Sequence, residues 1–156
     1  MEINVNRQLK AFKDALAYAE GTDKPGQPTK DRGYDVIVGG QLFTSYKDHP
    51  RVLVNLPRYN LKSSAAGRYQ MIRATWDALA RRLRLKDFSP ANQDRACDEL
   101  LRECGATSRL MVGDFDGACK AGNKIWASLP GSPHGQRIES ADKLRSIFIK
   151  AGGVIK

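Results

Sequence analysis

No stretch of this chain is apolar for the roughly 20 residues that a membrane-spanning helix needs, so membrane insertion is not expected. The opening MEINVNRQLK lacks a basic run leading into an apolar one, so it does not read as a secretory signal. Cysteine is scarce. Cys97, Cys104 and Cys119 make an odd number, which favours reduced thiols over a disulfide framework when no export signal precedes them. Cys97 and Cys104 are seven apart, near one face of any helix they share, and read as packed core thiols. Histidine is scarcer still: His49 and His134 stand far apart, with no CxxC or Cys/His cluster. That spacing argues against a zinc site, and neither metal nor cofactor is expected. Ser63 and Ser64 have no nearby histidine and no GxSxG setting, which argues against a serine hydrolase. Internal repeats, low-complexity tracts and linkers are missing too.

What is there fits one globular domain over 1–156, with 41% apolar and 28% charged residues. The net charge is +9, a surface that attracts any polyanion: nucleic acid, anionic lipid or an acidic wall polymer. Charge of this kind speaks to association rather than chemistry. Against a nucleic-acid module, there is no helix-turn-helix, RNP or zinc-finger signature, and aromatics do not interleave with the basic residues. The basic run ARRLRLK at 80–86 reads as a solvated helix face. No segment reads as an interface, and a monomer is expected.

Hydrophobic spacing organises the chain. Leu9, Phe12, Leu16 and Ala19 fall at steps of three and four, predicting an amphipathic helix over 7–20 with Gly21 at the position just past its end. Residues 22–32 are turn formers. Val36, Ile37 and Val38 before Gly39-Gly40 predict a small β-hairpin over 33–43. The stretch 44–68 has two prolines and mixed polarity and reads as mostly irregular. A second helix is predicted over 69–85, with Trp76 on its apolar stripe. Ser89-Pro90 opens a third running to about Glu103. Another starts near Asp114 and runs to about Leu129, with Trp126 inside the core. Ser140 caps a last one, ended by Gly152-Gly153. The fold class is α+β, mainly helical with a small N-terminal β-hairpin.

Glu20 stands at the wrong end of its helix. The helix dipole is negative there, and a carboxylate is unfavourable by a few tenths of a kcal/mol or more, where lysine or arginine would stabilise. Glu20 also follows Leu16 by four residues and so borders the apolar stripe. Both features disfavour the ionised form. A carboxyl held protonated is what a glycosidase needs in order to protonate a leaving oxygen.

Five blocks then decide the family. AEGTD at 19–23, GYDVIVGGQLFTSYKDHPR at 33–51, GRYQ at 67–70, KDFSPANQD at 86–94 and IWASLPG at 125–131 resemble the lambda-type phage endolysins of the lysozyme superfamily. The likeness runs from about Phe12 to Gly153, in matching order and spacing. It implies a lysozyme-like fold and cleavage of the β-1,4 bond between N-acetylmuramic acid and N-acetylglucosamine in the glycan strands of peptidoglycan. It implies a 1,6-anhydromuramoyl product formed without water. The family's catalytic glutamate falls on Glu20. GRYQ resembles the Gly-x-x-Gln segment that lines the glycan cleft, placing Tyr69 and Gln70 in the substrate site. Segments 50–62 and 129–140 correspond to the cleft flanks. The second carries His134 and Gln136, which are therefore substrate-binding candidates. Departures from the family pattern fall in SSAAGRYQ, VNLPRYNLK and GSPHGQR, so they touch loop contacts rather than the reaction.

A hydrolysing lysozyme would need a second carboxylate, and Asp23, Asp31 and Asp35 lie nearest in sequence. Asp35 is the candidate of interest, because it sits in the predicted hairpin. If that strand alternates, Asp35 and Ile37 share a face opposite Val36 and Val38. It reads equally as cleft lining or as a structural hydrogen-bonding group. His49 reads as structural. The principal alternative is a muramidase using Glu20 plus Asp35 or Asp31, and a more distant one is a non-catalytic basic binding module. The resemblance also implies bacterial host cell lysis. The protein would accumulate in the host cytoplasm and reach the periplasm or wall once a holin opens the membrane, with no direct holin contact.

Overall fold

A computed structural model describes residues 2–156. Within them the chain folds into two compact units, one made of residues up to Ala19 together with Asp98–Lys156, the other of Glu20–Cys97. The first is discontinuous in sequence and the second is not.

The discontinuous unit is helical. Its elements are α1 (Val5–Ala19), the last part of α3 (Pro90–Glu103), α4 (Ala106–Met111), α5 (Phe115–Gly122) and α6 (Ala141–Lys150). The period of α1 puts Ala11, Phe12, Ala15 and Leu16 into the core, where Phe12 meets Phe115 and Phe148. The three rings sit 4.9–6.5 Å apart between centroids, in the tilted and edge-on arrangements that aromatic quadrupoles favour. Gln8 is a buried polar residue of α1. Its amide donates to the carbonyls of Leu110 (2.7 Å) and Val154 (3.0 Å) and accepts from the Val154 N–H (2.7 Å), tying α1 to the chain's last residues. Asp114 caps α5 by accepting from Gly117 N–H at 2.9 Å, and Ser140 caps α6 through Lys143 N–H at 3.3 Å. Trp126 is buried as expected. Two expectations fail here. The helix opened near Asp114 ends at Gly122, and the residues leading to Pro130 are turns. The short helix α4 was not anticipated, because six residues are too few to show a period.

The continuous unit is largely irregular. Its regular elements are a hairpin of β1 (Val54–Leu56) and β2 (Leu61–Ser63), the helix α2 (Arg73–Leu83) and the start of α3. The hairpin pairs Val54 with Ser63 across a 3₁₀ turn at Pro57–Tyr59, in the stretch expected to be irregular. The predicted 33–43 hairpin is reduced to a single bridge, Val36 to Leu42, around Gly39-Gly40. Ile37 bridges instead to Ala66, so Asp35, Val36 and Ile37 are all buried and the two-faced alternation does not occur. Helix α2 begins at Arg73 rather than Tyr69, which leaves Tyr69-Gln70 in a turn. Ser89 and Pro90 open α3 as expected, with Ser89 Oγ accepting from Asn92 N–H at 3.4 Å. Trp76 packs edge-on against Phe88 at 4.7 Å. Cys97 and Cys119 are buried, whereas Cys104 is only half-buried just past the end of α3; all three are free thiols. Arg81, Arg82, Arg84 and Lys86 are exposed, a solvated face.

Candidate active site

Glu20 is the first residue past α1, and Gly21 follows at φ +80°, the left-handed turn that ends the helix. The stabilising cation at this helix end is supplied from far along the chain. Arg137 Nη2 donates to the Ala19 carbonyl at 2.8 Å, while its Nη1 pairs with Glu139 at 3.0 Å. Glu20 is half-buried and lines a pocket with Thr22, Gln27, the stretch 36–40 and Gln70. Among the described residues lining it, Glu20 is the one acid.

The pocket walls are held by side chains rather than by sheet. Arg68 is almost fully buried. Its guanidinium donates to Asp23 at 2.6 Å and to the Arg32 carbonyl at 2.5 Å, and its own carbonyl accepts from Thr22 Oγ1 at 2.7 Å. Burial opposes its charge, but Asp23 and the neighbouring tyrosines more than offset this, and Arg68 stays firmly cationic. Gln93 accepts from Arg68 N–H at 2.9 Å and donates to the carbonyls of Tyr34 (3.2 Å) and Phe88 (3.0 Å). Asp94 accepts from the phenols of Tyr34 (2.8 Å) and Tyr69 (2.6 Å). Burial, then nearby negative charge including Asp94, raises the Tyr69 phenol far above its ordinary range, so it remains a donor.

Of the six sequence candidates, Glu20 and Gln70 are the two that line this pocket. Gln70 holds φ +53°, and its amide donates to the carbonyls of Val36 (3.1 Å) and Gly67 (2.9 Å). Tyr69 is 2% exposed with its hydroxyl on Asp94, which corrects its expected place against substrate: it supports the wall from inside. Asp35 is 6% exposed and accepts from Thr29 Oγ1 (2.5 Å) and Lys30 N–H (3.0 Å), the structural alternative rather than cleft lining. It lines a different pocket, with Asp31, Phe43 and Tyr46. Asp31 accepts from the Tyr46 hydroxyl at 2.6 Å, and Asp23 is paired with Arg68. His134 and Gln136 lie in the helical unit, between α5 and α6. His134 is exposed and its Nε2–H donates to the Lys124 carbonyl at 2.7 Å; Gln136 is half-buried. His49 is structural, with Nε2–H donating to Met71 O (2.8 Å) and Nδ1 accepting from Arg51 N–H (3.0 Å). Gln27, Arg68, Asp94 and Arg137 escaped sequence reasoning. The signal for Gln27 was faint: an uncharged polar residue between Gly26 and Pro28 in a turn-rich loop.

The sequence model of the Endolysin family matches residues 10–155. The chain belongs to the endolysin family. This endolysin is 49% identical over 154 residues to the endolysin of Escherichia phage lambda, covering 99% of this chain and 97% of that protein. It is 43% identical over 162 residues to the endolysin of Escherichia phage P2, covering 97% of each. Among solved structures it is similar to bacteriophage lambda lysozyme complexed with a chitohexasaccharide, at TM-score 0.92 and 49% identity, covering 100% of this chain and 99% of that one. It is also similar to the lysozyme from bacteriophage lambda, at TM-score 0.88 and 48% identity, over the same shares. The fold is lysozyme-like.

Proposed function

We propose that this endolysin cleaves the β-1,4 bond between N-acetylmuramic acid and N-acetylglucosamine by intramolecular transglycosylation, with Glu20 as its single catalytic carboxylate. The observation that carries this reading is Glu20 standing as the one acid among the described residues of its pocket. Asp23, Asp31 and Asp35 are each committed to hydrogen bonds elsewhere. The chitohexasaccharide held by the similar lambda lysozyme supports a glycan of N-acetylated sugars as the class of substrate.

Protonated Glu20 donates to the bridging oxygen as the C1–O4 bond breaks. The muramoyl acetamido oxygen bonds to C1 and shares the positive charge, as in substrate-assisted glycosidases. Ionised Glu20 then takes the proton from the C6 hydroxyl, O6 bonds to C1, and the acetamido oxygen leaves. The proton returns to Glu20 and no water is consumed. The internal attack draws on the high effective molarity of a tethered nucleophile. Release of wall fragments by this route would lyse a bacterial host once the enzyme reaches the wall, access that a holin would provide from the cytoplasm.

The test is digestion of purified peptidoglycan, with muropeptides weighed before and after borohydride reduction. Ends lighter by one water that resist reduction are expected. Reducible, hydrated ends would instead mean a muramidase, and Asp35 would be the next residue to mutate. No fragments from folded protein would remove the catalytic reading altogether.

A further inference from the structure

The Glu20 pocket contains a polar residue with no assigned task. Gln27 lies in the loop before Pro28, and its Nε2 donates both hydrogens to backbone carbonyls, to Pro28 O at 2.7 Å and Gly40 O at 2.8 Å. The amide cannot be turned round, because Oε1 would then face two carbonyl oxygens. A donor group used up on both hydrogens leaves Oε1 as the only polar atom of the side chain with capacity, and no hydrogen bond reaches it among the described residues. The amide also lies close against Gly40. Gly40 has φ +97°, and a Cβ there would come within 2.9 Å of Gln27 Oε1. The left-handed backbone at that position favours glycine. Gln70, across the same pocket, is built alike, with both amide hydrogens given to Val36 O and Gly67 O.

The pocket thus presents fixed acceptors beside part-exposed Val38, with Val36 and Ile37 almost fully buried next to it. Such a surface suits a group that combines one N–H donor with a methyl. A sugar hydroxyl would use the acceptor and leave Val38 without an apolar partner. A 2-acetamido group uses both.

Building on the glycan-cleaving function above, we infer that Gln27 is a specificity-determining residue, whose Oε1 accepts a hydrogen bond from the acetamido N–H of a substrate sugar. Where that sugar is the one undergoing cleavage, the N–H becomes more acidic as the acetamido oxygen bonds to C1. The hydrogen bond then strengthens in the transition state. Fixing the amide beforehand removes the cost of ordering it on binding.

The test combines a structure with an affinity. Crystals of Glu20→Gln grown with chitohexaose are expected to place Gln27 Oε1 within hydrogen-bond distance of an acetamido nitrogen. Calorimetry is expected to give roughly threefold to tenfold weaker chitohexaose binding for Gln27→Met than for the parent, the size of one uncharged hydrogen bond. A bound glycan whose acetamido nitrogens all lie elsewhere overturns the inference and leaves the catalytic reading standing. So does a Gln27→Met affinity equal to the parent's. A parent protein that neither binds chitohexaose nor releases wall fragments would instead overturn the underlying reading, and this inference with it.

Discussion

The two units solve the same problem with different chemistry. The helical unit is held by apolar burial, with Phe12, Phe115, Phe148 and four or more leucines at its centre. The unit spanning Glu20–Cys97 has few regular elements to satisfy its backbone, and much of that work falls to buried polar side chains: Thr22, Asp35, His49, Ser64, Arg68 and Gln93. An unpaired buried peptide group costs about 1–3 kcal/mol, so irregular backbone is affordable only with such partners. The difference teaches that a pocket needing backbone in unusual conformations is built from side-chain pins, and a scaffold is built from helices.

The comparison can be pressed from the pocket outward. Glu20→Gln is expected to lower wall-lysis activity at least a hundredfold, the usual scale for a general acid, with the melting temperature within a degree or two of the parent. Retained activity would take the acid role from Glu20. In the helical unit, Phe148→Ala is expected to cost about 3–5 kcal/mol in denaturant unfolding by opening a cavity beside Phe12 and Phe115. In the other unit, Arg68→Met keeps the bulk and removes the donors to Asp23 and Arg32 O. A smaller cost is expected, about 2 kcal/mol, because Asp23 is 40% exposed and can be hydrated. If Arg68→Met proved harmless, the account of side-chain pins would be wrong.

Weaker effects follow from protonation. Burial, chiefly, pulls the His49 imidazole below its ordinary value, with Arg51 adding to this against the opposing Met71 carbonyl, Asp48 and Asp77. The unfolded chain therefore takes up this proton first. The His49 contribution to stability is intact above about pH 6.5 and is lost as pH falls from there through the folded-state value. Melting curves from pH 8 to 5 should show a shallower decline for His49→Gln than for the parent. Smallest of all, burial pushes the Cys119 thiol up to about 12, so at pH 8 an aromatic disulfide reagent should leave it untouched and label half-buried Cys104 first.

Much of this was legible in the chain. The residues that open or close helices carry local signals, so Ser89-Pro90, Ser140 and the Glu20-Gly21 terminus were read directly. Trp76 and Trp126 were assigned to the interior because they sit on apolar stripes, and both are buried. The hairpin was misplaced because β-branched residues at 36–38 look like a strand wherever they are, whereas Val54–Leu56 is split from its partner by a proline turn. Tyr69 shows the other limit. Its neighbour Gln70 does line the pocket, but a turn sends adjacent side chains opposite ways, and Asp94, 25 residues on, claims the hydroxyl. Gln27 was invisible because its role depends on the carbonyl of Gly40, which no local pattern announces.

The discontinuity of the helical unit has a consequence in time. Helix α1 is among the first parts made, yet its contacts include α4, α5, α6 and the Val154 backbone, and its final carbonyl waits for Arg137. At a translation rate of about 5–20 residues per second, several seconds separate completion of Cys97 from completion of the last residues. Throughout that interval the peptide bond preceding Glu20 has no guanidinium upon it. A nascent chain therefore carries Glu20 well before it carries the cation that caps the helix leading to it.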